Sequence, residues 1–126
     1  MTISHSGISA LSKGCYKVAW CGLGTESGAA CCASNGSAVI IPAGFNSVTI
    51  QVLGTFAGAT IAIEGSNDGG TTYAQLNDTR GEGNALTFTS ADLRQLAEIP
   101  QQIRPALTAG CASDLDVIVI LRATGR

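Results

Sequence analysis

The chain predicts an all-β fold: a two-sheet antiparallel β-sandwich, jelly-roll-like, with one short helix near 90–98. Three observations carry that expectation. The stretches 47–53 (SVTIQVL) and 115–122 (LDVIVILR) place apolar residues at every second position, the period of a pleated strand. The stretch 61–73 (IAIEGSNDGGTTY) runs from one alternating segment through Ser66-Asn67-Asp68-Gly69-Gly70 into another, as a hairpin does. About eight short strand-like segments are separated by Gly-rich turns along 126 residues, a length that suits one domain.

Taken in order, residues 1–14 read as an N-terminal arm, followed by a single sandwich domain over 15–126. A first strand is expected at 16–20, then a long small-residue loop over 22–36. A short strand at 37–41 stops at Pro42. In 47–53, Val48, Ile50 and Val52 share one face. The hairpin strands are 59–64 and 72–76, with Ile61 and Ile63 together on one side. A polar loop follows at 77–84, then a strand at 85–89 that puts Leu86 and Phe88 on one face. Thr89 and Asp92 fit a capping pattern, with Leu93, Leu96 and Ala97 at helical spacing and Pro100 as a stop, which gives the expected helix. Extended structure resumes at 103–107, where Pro105 points to an edge or bulged strand. The segment 109–113 is expected to turn into the last strand. There Leu115, Val117, Val119 and Leu121 form one apolar face, and the opposite face still carries Ile118 and Ile120. A face open to water has no use for those two, so the helix or a partner subunit is expected to cover them.

Composition narrows the function classes. Charged residues make up 13%, against about 25% in an average soluble domain. Such a sparse surface suits either a sandwich with uncharged polar loops or a subunit largely covered by neighbours. The net charge is −2 and the seven basic residues form no run, so no nucleic-acid partner is expected. No apolar run reaches the ~20 residues that span a bilayer, so no membrane partner is expected. The first residues lack a basic and then apolar leader pattern, which points to synthesis in a cytoplasm.

Cys15, Cys21, Cys31, Cys32 and Cys111 make an odd number of thiols, so at least one is free or pairs between chains. Burial as small hydrophobes is favoured for most, and a disulfide formed in an oxidising medium stays open. Their spacing does not match a zinc module. His5, the only histidine, sits in a segment expected to fray, so a Cys–His nucleophile is disfavoured. No phosphate-binding loop, dinucleotide fingerprint, zinc-protease motif or nucleophile elbow occurs. Asn67, Asp68 and Asp78 carry oxygens suited to calcium, but turn chemistry accounts for the first two. No catalytic residue, metal or cofactor is expected.

The residues 63–73 (IEGSNDGGTTY), 84–89 (NALTFT) and 103–110 (IRPALTAG), closed by a hydrophobic strand, resemble a family of small structural proteins of tailed-phage virions. The resemblance covers 61–121, about the second half of the chain. It implies a capsid cement or decoration protein of jelly-roll type on the capsid exterior, made in the host cytoplasm. Such a protein forms symmetric oligomers, dimers or trimers, and clamps the major capsid protein. The Ser-Asn-Asp-Gly turn followed by an aromatic also resembles discoidin-type carbohydrate-binding sandwiches, which implies a glycan-binding module as the alternative; a tail- or fibre-associated role is another. The expected interface residues are Ile3, Ile8 and Leu11 in the arm, Leu23 in the loop, and Ile118 and Ile120 in the last strand.

Overall fold

A computed structural model describes residues 2–3, 5–23, 35–42, 44–79, 85–108 and 114–123. Among them lie twelve strands: β1 (Thr2–Ile3), β2 (Ser9–Ser12), β3 (Cys15–Leu23), β4 (Asn35–Gly36), β5 (Val39–Ile40), β6 (Ser47–Thr55), β7 (Thr60–Ser66), β8 (Ala74–Gln75), β9 (Thr87–Phe88), β10 (Asp92–Gln95), β11 (Gln102–Thr108) and β12 (Asp114–Arg122). One sheet has the order β10-β6-β12-β3-β2. The other runs β1-β4-β11-β7-β8, with β5 also on β11 and β9 also on β7.

The chain alternates between the two layers. It leaves β3 for β4 and β5, returns for β6, crosses to β7–β9, returns for β10, crosses to β11 and ends in β12. The central order β3-β12-β6-β10 thus faces β5-β11-β7-β8, which is a jelly-roll winding. All pairings within the sheets are antiparallel except β1 on β4.

Period-2 patterning decides which side of each strand meets the core. Val48, Ile50 and Val52 of β6, and Leu115, Val117, Val119 and Leu121 of β12, are all fully buried or nearly so. Ile61 and Ile63 of β7 and Ile103 and Leu107 of β11 meet them from the second sheet. Burying an aliphatic side chain contributes about 1.5–3 kcal/mol, so this inner layer is the main source of stability.

Three expectations are corrected. The helix near 90–98 is absent: Asp92–Gln95 is an edge strand paired with Val52–Thr49 of β6. A helix of about two turns is marginal on its own. The extended form instead inserts Leu96, whose N–H bonds Val48 O at 2.9 Å, and turns Arg94 inward to a buried carboxylate. Second, β11 is not at an edge, for β7 flanks it on one side and β4 and β5 on the other. Pro105 is tolerated because that second ladder is broken between Ile103↔Val39 and Ala106↔Asn35. Its ring fills the break and lies so close to Gly36 that an added Cβ would come within 2.5 Å of it.

Third, the segment read as an arm over 1–14 is paired to the sandwich where it is described. Thr2–Ile3 pairs with Asn35–Gly36, His5 bridges Trp20, and β2 forms a hairpin with β3. Trp20 lies fully buried beneath this strap, and its indole N–H donates to Ser37 O at 2.9 Å. Of the loop expected over 22–36, residues 22–23 belong to β3 and 35–36 form β4, while 24–34, like the expected turn at 109–113, lie outside the described residues.

Candidate functional site

The outer face of the five-stranded sheet is built by cross-strand rows. Leu93 stands beside Gln51, Gln51 beside Ile118, and Ile118 beside Ala19. In the next row Gln95, Thr49, Ile120, Lys17 and Ser9 follow one another. Leu93 is 56% exposed, and Ile118, Ile120 and Leu53 are half-buried. Both sheets turn their core faces toward each other, so among the described residues no third layer of strands covers this one. The helix expected to cover Ile118 and Ile120 is absent among the described residues.

The outer face of the other sheet is of a different kind. Glu64 and Arg104 face each other across β7 and β11. The Arg104 guanidinium donates to Glu64 Oε1 at 3.0–3.1 Å and lies 3.7 Å from the centre of the Tyr73 ring. Tyr73 in turn donates to Gln102 Oε1 at 3.4 Å. Charge and an aromatic satisfy one another there, whereas aliphatic side chains stand open on the five-stranded sheet.

Between these faces, at one end of the sandwich, the 66–73 turn borders a cleft of about 480 Å³. Gly69 and Gly70 both take positive φ, +77° and +91°, which L-residues with side chains rarely adopt. Ser66 Oγ donates to Asp68 Oδ1 at 2.7 Å and accepts the Asp68 and Gly70 N–H groups. Asp68 Oδ1 also accepts from the Thr71 and Thr72 N–H groups at 3.0 and 2.9 Å. The Ser66 hydroxyl first, then the Thr72 N–H, lower the Asp68 pKa from 3.8 to about 2. Asn67 Oδ1 accepts the Gln101 N–H at 2.8 Å, and Gln101 Oε1 accepts the Gly69 N–H at 3.0 Å, which ties the turn to the opposite wall. On that wall Glu98 accepts the Asn77 backbone N–H and side-chain amide, each at 2.8 Å, and the backbone bond first holds its carboxyl below the usual range.

The expected interface residues do not form one surface. Ile118 and Ile120 share the open face, as expected of neighbours two apart on a strand. Leu23 is fully buried in the core, at the end of β3, and is unavailable to a partner. Ile8 and Leu11 are exposed, at 38% and 56%, on and beside the β2 edge, and Ile3 takes its place in β1. Leu93, which the helical reading placed among inward positions, is the member of the open face that sequence reasoning missed. In a strand Arg94 and Leu96, two apart, share the inward face, which turns Leu93 outward beside Gln51.

Cys15 is half-buried and Cys21 exposed, both with free thiols, so burial does not hold for Cys21. It stands in a bulge where two residues of β3 face Asp116 alone. Six residues of strand separate it from Cys15, about 20 Å, too far for a disulfide. Cys31, Cys32 and Cys111 lie outside the described residues. The His5 ring packs edge-on to Trp20 at 5.9 Å, and its Nδ1 accepts the Gly7 N–H at 2.9 Å. Among the described residues no three His, Cys, Asp or Glu side chains gather as metal ligands. Asp78 is instead buried against Arg94, whose Nε donates to Asp78 Oδ2 at 2.7 Å.

No protein-family model, curated protein or solved structure matches the chain.

Proposed function

We propose that the chain is a non-enzymatic structural subunit of a phage virion, a capsid cement or decoration protein that self-associates and binds the major capsid protein shell. The observation that carries this reading is the outer face of the five-stranded sheet, where half-buried Ile118 and Ile120 lie two apart on β12 and exposed Leu93 stands two strands away, across Gln51 of β6. Removing such side chains from water is the main driving force of association. The low charge of the chain fits a surface met by neighbours, and the jelly roll recurs in viral capsid and lectin domains. The resemblance of residues 61–121 to small phage structural proteins points the same way.

Mechanically, such a subunit acts by repetition. One face contributes modest energy, but a symmetric oligomer engages several capsid subunits at once, and each further contact then forms within an already tethered assembly. The exposed β2 edge with Ile8 and Leu11 is a second surface for that role. The test is quantitative mass spectrometry of purified particles of the phage that encodes the chain. A copy number close to that of the major capsid protein is expected. A few copies per particle would move the role to tail or fibre, and absence from particles would overturn the reading.

A further inference from the structure

The middle strand of the five-stranded sheet, β12, carries an ordered set of charges along its outer face. Asp114 and Asp116 stand at one end, Ile118 and Ile120 in the middle, and Arg122 at the other end. Lys17 of β3, beside Ile120, adds a second cation toward the Arg122 end. Asp116 Oδ1 accepts the Gly22 N–H at 3.2 Å, which holds that carboxylate in place. The face is therefore acidic at one end, aliphatic at its centre and basic at the other end. Asp116 and Arg122 are six residues apart on one strand, about 20 Å, so they cannot pair within one chain. Among the described residues, none of the four charged side chains on this face forms an ion pair.

Such a layout is complementary to itself in one orientation. A two-fold dimer places the same patch of both copies in contact. With the axis along β12, Asp116 meets Asp116 and Arg122 meets Arg122, and like charges repel. With the axis across the strands, between Ile118 and Ile120, the two β12 strands run antiparallel. Ile118 of one copy then meets Ile120 of the other, and Asp116 meets Arg122 at both ends. The aliphatic centre supplies affinity, and the charges select the orientation. The size of the face also fits. β3, β6 and β12 have nine residues each, about 30 Å of strand, and five strands span about 20 Å. That area is of the same order as the roughly 800 Å² each partner gives to a standard interface.

We infer that the occupant of this face is a second copy of the chain, packed back to back about a two-fold axis perpendicular to β12, with Ile118 on Ile120 at the centre and Asp116 on Arg122 at either end. This rests on the reading of the face as an assembly surface and adds its partner, symmetry and orientation. The test is sedimentation velocity of the full chain, of Arg122→Asp and of Asp116→Lys, each alone and the two variants mixed in equal amounts. The wild-type chain should be a dimer. Each variant alone should dimerise at least about tenfold more weakly, because both symmetry-related contacts then oppose like charges. The mixture should recover a dimer containing one of each, since every reversed residue meets its opposite in the other variant. Asp116→Asn keeps an acceptor for the Gly22 N–H and should weaken the dimer less; with Arg122→Asp it carries the test if tryptophan fluorescence shows Asp116→Lys to be unfolded. Folded variants that dimerise as tightly as the wild type, a mixture that stays monomeric, or a wild-type trimer would overturn the two-fold arrangement and leave the face as an assembly surface. A monomeric wild-type chain would overturn both.

Discussion

Asp68 stands exposed in its turn, yet one of its oxygens gathers the Ser66 hydroxyl and the Thr71 and Thr72 N–H groups. Because these bonds favour the ionised form, its folded pKa, about 2, lies below the ordinary 3.8. The stabilisation is therefore present above about pH 4 and is lost as pH falls through about 2. Carboxyl titration by NMR should give a midpoint near 2 for Asp68; a midpoint near 4 would remove the turn-lock account. Gly36 tests packing at the same scale. An added Cβ would meet the Pro105 ring at 2.5 Å and Trp20 Cδ1 at 2.6 Å, both inside a filled interior. Gly36→Ala should cost about 1–3 kcal/mol by urea denaturation, as overpacking does. A neutral result would mean that the 35–36 segment does not pack on Trp20. The buried Asp78–Arg94 pair is a third residue-scale test. Arg94→Ala leaves the Asp78 carboxylate, fully buried, without that cation, and should cost about 3–5 kcal/mol.

The elements show what the sequence carried and what it did not. Strands β6, β7 and β12 were legible because a half-buried strand writes its period into neighbouring residues, as Val48, Ile50 and Val52 do. The Ser66–Gly70 turn was legible because its geometry needs particular residue types. β10 was not, since Leu93, Leu96 and Ala97 fit a helical face and Thr89 and Asp92 mimic its cap. Only pairing with β6 and the distant Asp78 decide in favour of the strand, and neither leaves a local mark. Pro105 misled for the same reason: the break that admits it lies in β4 and β5, about 65 residues earlier. Of the candidate surface, Ile118 and Ile120 were visible as apolar residues on the wrong side of a strand. Leu93 became visible only once β10 was extended, and Leu23 was misplaced because β3 runs beyond its alternating part. The strand assignment makes its own forecast. Gln95→Thr, beside Thr49 on the outer face, should be neutral or stabilising by up to about 1 kcal/mol in a strand. A clear loss in thermal unfolding would favour a helix.

At the scale of the molecule, the two outer faces divide the chemistry. One closes on itself through Glu64, Arg104 and Tyr73; the other turns Leu93, Ile118 and Ile120 outward among Gln51, Thr49 and Lys17. A jelly roll with one such face is suited to tiling. Sedimentation velocity of the isolated chain and of the Ile118→Asp, Ile120→Asp double variant tests this most directly, with tryptophan fluorescence confirming that Trp20 remains buried in both. The wild-type chain should sediment as a dimer or trimer and the folded variant as a monomer; a monomeric wild-type chain, or a variant that keeps the same oligomer, would contradict the assignment of this face to assembly.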